Sequence, residues 1–129
     1  METVKNNVLN LVQYFFFISP LVPDGPPTDI SAHSDNSTVL EVQWSPVLQE
    51  SQNGVILGYH ILLSDAWGVS LRNATFQNSR QTYYHFQDLE AWTNYSVKVS
   101  AFTSKGNGPY STSLFANTEE DGMLNSIFL

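Results

Sequence analysis

Tyr95-Ser96-Val97-Lys98-Val99-Ser100-Ala101 sets apolar side chains at every second position, with Ser, Lys and Ser between them. Successive side chains of a strand point to opposite faces, so this run offers one apolar face to a core and one polar face to solvent. The same period recurs upstream. Val39-Leu40-Glu41-Val42-Gln43-Trp44 alternates apolar and polar, Gly58-Tyr59-His60-Ile61-Leu62-Leu63 aligns Tyr59, Ile61 and Leu63, and Tyr83-Tyr84-His85-Phe86 aims Tyr84 and Phe86 together. Turn-forming stretches separate the runs: Ser45-Pro46, Gln52-Asn53-Gly54, Asp65-Ala66-Trp67-Gly68 and Lys105-Gly106-Asn107-Gly108-Pro109. Short strands at this spacing, with no helical period between them, predict an all-β antiparallel sandwich.

The 129 residues leave room for one domain with some length to spare. The chain contains no cysteine, which removes disulfides, thiolate metal sites and thiol nucleophiles. A sandwich of about 100 residues buries enough surface to stand without such staples, so the missing cysteine does not assign a compartment. Five basic residues against twelve acidic give a net charge of −7. The bases Lys5, Arg72, Arg80, Lys98 and Lys105 are scattered, and no run of them tracks a phosphate backbone. Nucleic acid is therefore not an expected ligand.

Three segments follow from the pattern. Residues 1–22 are apolar-rich around Tyr14-Phe15-Phe16-Phe17-Ile18 and read as a signal, as the end of a preceding unit or as a non-native start. Glu2, Asn10 and Gln13 fit a signal poorly, and the run is too short and too interrupted for a membrane span of roughly 20 residues. Residues 23–121 form the domain, opened by Pro23-Asp24-Gly25-Pro26-Pro27, which neither continues a helix nor donates to a sheet. Residues 122–129 are a tail.

Taken in order, these motifs resemble the fibronectin type III domain. Pro26, Pro27 and Ile30 fit its first strand, and Leu40, Val42, Trp44 and Pro46 fit its second. Gly58, Tyr59, Ile61 and Leu63 fit its third, Leu89 stands six residues before Tyr95, and Gly106, Gly108, Pro109 and Ser111 fit its last turn. The resemblance implies a seven-stranded immunoglobulin-like β-sandwich with Trp44, Tyr59, Leu89 and Tyr95 as structural core. It also implies a tyrosine corner, with the Tyr95 hydroxyl bonded back to backbone near Leu89. Ala91-Trp92 departs from the family's frequent Pro-Gly, and Ser113 stands where a proline often guards the last strand.

Nothing in the sequence composes a catalytic site, so the chain is expected not to be an enzyme. His33, His60 and His85 fall in separate strands without metal-ligand spacing, and alternation places His60 and His85 outward, where they read as solvated side chains. No serine sits in a nucleophile elbow, and Asp88 and Glu90 flank a turn rather than a cleft. Gly106-Asn107-Gly108 leads into a strand, whereas a phosphate cradle needs a helix start. No metal, no cofactor and no small-molecule substrate are expected. Asn36, Asn73 and Asn94 begin sequons, of which Asn94 looks hindered by Tyr95. Leu62, Trp67 and Trp92 are apolar at positions expected to face outward and are the candidate interface residues. The resemblance implies a non-catalytic protein-binding or spacer module of a cell-surface adhesion or receptor protein, extracellular and flanked by further repeats. An intracellular sarcomeric or cytoskeletal array, or an accessory module of an enzyme, is the alternative; the protein partner is unidentified.

Overall fold

The computed structural model describes residues 21–120; the readings made for residues 1–20 and for the tail lie outside it. Strands β1 (Thr28–Asn36), β2 (Val39–Ser45) and β5 (Tyr83–Phe86) form a three-stranded sheet in the order β1-β2-β5. β3 (Gly58–Asp65), β4 (Ser70–Phe76), β6 (Asn94–Thr103), β7 (Gly106–Asn107) and β8 (Leu114–Asn117) form the second sheet, ordered β4-β3-β6-β7, with β8 also paired to β6. Every pairing is antiparallel.

β7 and β8 are two pieces of one final strand. Between them Gly108 N–H still donates to Ala101 O, and Ser111 N–H to Val99 O. The Ser111 Oγ accepts from Val99 N–H at 3.0 Å. Pro109, which has no N–H, falls in this gap and interrupts the ladder. The seven-strand plan thus holds with its last strand broken by a proline.

The period-2 pattern fixes which face each strand buries. Leu40, Val42 and Trp44 from one sheet meet Tyr59, Ile61, Leu63, Val97, Val99 and Ala101 from the other. Trp44 is only 5% exposed, and its ring meets Tyr59 edge-on at 5.2 Å between centroids. Phe76, Tyr84 and Phe86 extend the aromatic packing along the same seam. Tyr95 is buried, and its hydroxyl accepts from Glu90 N–H at 3.0 Å, which closes the corner beside Leu89.

Two features escape the strand pattern. α1 (Gln49–Gln52) is a single helical turn ended by Asn53 in the left-handed region at φ 55°, a conformation asparagine tolerates. The leading residues are docked rather than loose. Leu21 N–H donates to Asn53 O, Asp24 N–H to Ser51 O, and Thr103 Oγ1 to Leu21 O. Pro23 is buried so closely against Gly108 that a Cβ on the glycine would lie 2.7 Å from the proline ring.

Candidate interaction surfaces

The chain enters and leaves at opposite poles. Leu21 is held by Asn53 and Thr103, at the far end of β6. Glu119 is held at the near end, where its carbonyl accepts from Trp92 N–H and its N–H donates to Ser34 Oγ. β6 runs the whole length between these points, so they lie about 30 Å apart at the usual rise of an extended strand.

The C-terminal pole carries two displayed indoles. Asp65 ends β3, and its Oδ1 accepts from Trp67 N–H at 2.9 Å and Val69 N–H at 2.8 Å. This carboxylate, with Gly68 at φ 86°, folds the hairpin tip so that Trp67 points into solvent, 88% exposed, beside exposed Val69 and Leu71. Trp92 is 68% exposed and takes φ 52°, the left-handed region that a bulky side chain disfavours. Its conformation is imposed by its neighbours: Trp92 N–H bonds Glu119 O, Thr93 N–H bonds Thr118 Oγ1 at 3.0 Å, and Thr118 Oγ1 donates to Glu90 O at 2.7 Å. The Ala91-Trp92 departure therefore places tryptophan where the backbone is best suited to glycine.

Leu62 lies on the outward face of the second sheet opposite Lys98, but it is half-buried and offers less surface than either tryptophan. Asn36 is exposed at the end of β1, its Oδ1 accepting from the N–H and hydroxyl of Thr38. Asn73 is exposed on β4, an edge strand. Asn94, expected to be crowded, is exposed at the start of β6, whereas its sequon hydroxyl Ser96 is buried and donates to Asp65 O.

Asp88 and Glu90 rim an open hollow of about 450 Å³ between Leu71 and Tyr95, not a bare turn. Its one guanidinium, Arg72, is committed to the carbonyls of Gln87 and Asp88. His60 is bound on both ring nitrogens, to Thr75 Oγ1 at 2.7 Å and Asn107 Oδ1 at 2.8 Å, and its ring lies over Phe102.

The other two histidines do come together. His33, Glu41 and His85 are directly opposite one another across β1, β2 and β5. His85 Nε2 lies 2.5 Å from Glu41 Oε2 and 3.5 Å from Asp35 Oδ2, and His33 Nε2 lies 3.8 Å from Glu41 Oε1 and 3.9 Å from Asp35 Oδ1. The Gln43 amide also donates to Glu41. That bond is the largest influence on the Glu41 carboxyl; burial opposes it, and the bond and charge of His85 with the charge of His33 leave the group below its ordinary value. Spacing along the chain could not reveal this cluster; only the strand register does.

The profile of the fibronectin type III domain matches residues 25–117. The chain is 33% identical over 104 residues to the cell adhesion molecule DSCAM of Gallus gallus, which covers 78% of this chain and 5% of that protein. It is 33% identical over 108 residues to protein sidekick-2 of Mus musculus, covering 81% and 5% respectively. The chain thus spans about 5% of the length of these curated relatives. Among solved structures, the third fibronectin III domain of human KIAA0343 protein superimposes with a TM-score of 0.70 at 29% identity, covering 80% of this chain and 88% of that one. The FN1–FN3 domains of chicken CNTN1 match with a TM-score of 0.65 at 26% identity, over 77% and 32%.

Proposed function

This chain belongs to the fibronectin type III family, and from that premise we propose that residues 23–121 act as a protein-binding and spacing module of a cell-surface adhesion or receptor protein, set in a row with similar domains. Relatives of this domain include proteins named as cell adhesion molecules, which supports an adhesion role outside the cell. The observation that carries the reading is the polarity of the domain. The chain enters at one pole and leaves at the other, and the pole it leaves by displays Trp67 and Trp92 on backbones fixed by hydrogen bonds. Repeats joined through such poles form an extended rod, and rigid exposed indoles at a junction or loop cluster anchor protein contacts at low entropic cost.

The interior is filled by Trp44, Tyr59 and the aliphatic residues between the sheets, so the module's work lies on its surface. No helix among the described residues is long and apolar enough to cross a membrane. Asn36, at a turn, and Asn73, on an edge strand, are exposed and are the sequons best placed to carry glycan. The test is a cell-binding assay with beads coated in the chain. Wild-type beads are expected to bind cell surfaces, and the Trp67→Ala/Trp92→Ala double variant to bind roughly tenfold or more weakly. Equal binding by the two would remove the C-terminal pole from the proposal. Absent binding by the wild-type beads would remove adhesion itself.

A further inference from the structure

We propose that His33, Asp35, Glu41 and His85 form a binding site for a divalent transition-metal ion of the zinc type on the outer face of the three-stranded sheet. The register creates the site. His33 faces Glu41 across β1–β2, Glu41 faces His85 across β2–β5, and Asp35 stands two residues beyond His33 on the same face of β1. Directly opposed residues on adjacent strands hold their Cβ atoms about 5 Å apart. Two imidazoles and two carboxylates therefore converge from three strands.

The spacing fits the ion. Zinc bound to nitrogen and oxygen at about 2.0–2.2 Å in a tetrahedron separates its ligand atoms by about 3.4 Å. Donor atoms of His33, Asp35 and Glu41 all lie within 4.8 Å of one another, and His85 adjoins both carboxylates at 2.5 and 3.5 Å. His85 stands outside that trio, so bringing all four donors onto one ion takes side-chain rotation, which is open to His33 and Asp35, at 55% and 45% exposure, and less so to half-buried His85. Charge favours a cation as well. All four ion-pair contacts among the described residues fall in this patch, and the only bases in them are histidines. No lysine or arginine neutralises the two carboxylates there.

The surroundings hold the donors in place. Glu41, at 15% exposure the least accessible of the four, is held by the Gln43 amide, while the Tyr83 ring packs edge-on to His85 at 5.9 Å between centroids. Outer contacts of this kind orient ligands before the ion arrives. Two imidazoles select a borderline ion such as Zn²⁺ over Mg²⁺ or Ca²⁺, which take oxygen ligands. Bound there, the ion would pin both outer strands of the sheet to β2.

The experiment titrates zinc chloride into the full chain, following heat and thermal unfolding. One-to-one binding is expected, with the melting temperature raised by at least about 10 °C when free zinc is a hundredfold above the dissociation constant. Magnesium should give no shift. Cobalt(II) should give the visible absorption of a tetrahedral site. The His33→Ala/His85→Ala variant should weaken zinc binding by more than about a hundredfold, and Gln43→Ala by about tenfold. Should the double variant unfold, Glu41→Gln carries the same expectation of lost binding. Failure of the wild-type chain to bind zinc saturably below millimolar concentration, or unchanged binding in a folded ligand variant, would overturn the site.

Discussion

Trp92 shows how much one residue can reveal. An L-residue in the left-handed region pays roughly 1–2 kcal/mol in steric strain, and glycine pays none. After allowing for glycine's greater freedom in the unfolded chain, Trp92→Gly is expected to raise stability by about 1 kcal/mol in denaturant titrations. The same change should weaken cell binding if the indole is an anchor, so stability and recognition would move in opposite directions. Tyr59 makes a different point. Burial pushes its hydroxyl above the usual value of 10.0, and the Trp44 indole pulls it back a little. The Trp44 N–H has no hydrogen bond of sound geometry, so that opposing effect is weak and burial prevails. The unfolded tyrosine then ionises first as pH rises. Its share of stability is complete below about pH 10 and is lost as pH climbs through the higher folded value. Tyr59→Phe should flatten the alkaline limb of a stability profile, measured by denaturant midpoints between neutral pH and pH about 11.

At the scale of elements, the tightest constraint lies where β3 begins. A Cβ on Gly58 would sit 2.0 Å from the Phe76 carbonyl oxygen and 2.9 Å from the Phe102 ring. The carbonyl belongs to the backbone of β4 and can move only with its strand. Gly58→Ala is therefore expected to destabilise by about 3 kcal/mol or more, read from chemical unfolding. Selective loss of amide protection in β4 would mark the β3–β4 pairing as the point of damage. β4 was also the least legible strand in the sequence. Ser70, Leu71, Arg72 and Asn73 are all exposed on an edge, so no clean alternation announces it. α1 was not legible either, because four polar residues carry no periodic signal.

For the whole molecule, the arrangement of poles and indoles matters more than any single contact. Trp44 is sealed between the sheets, while Trp67 and Trp92 stand in solvent at the same end. Acrylamide should quench about two-thirds of the total tryptophan population in the isolated chain, one indole of three being protected. A docked neighbour at the C-terminal pole should lower that fraction, whereas a neighbour tethered without contact should leave it unchanged. The docked leading segment gives the opposite pole a fixed geometry, since Leu21 and Asp24 are already hydrogen-bonded to the body.

Alternation, turn residues and the Trp44-to-Tyr95 framework determined the sandwich, because burying one face of each strand leaves a period-2 sequence few other solutions. The same logic showed which side chains face inward: Leu40, Val42 and Trp44 on one sheet, Val97 and Val99 on the other. Tertiary structure alone decided the rest. Spacing within the chain put His33 and His85 on separate strands and said nothing of their partners. Pairing brought both against Glu41, 8 residues from His33 and 44 from His85. Backbone geometry likewise decided that Trp92 is strained, since a dihedral angle is set by the hydrogen bonds closing around it. Inward or outward facing is a local property of a strand; adjacency across strands depends on register, which forms only when the sheet does.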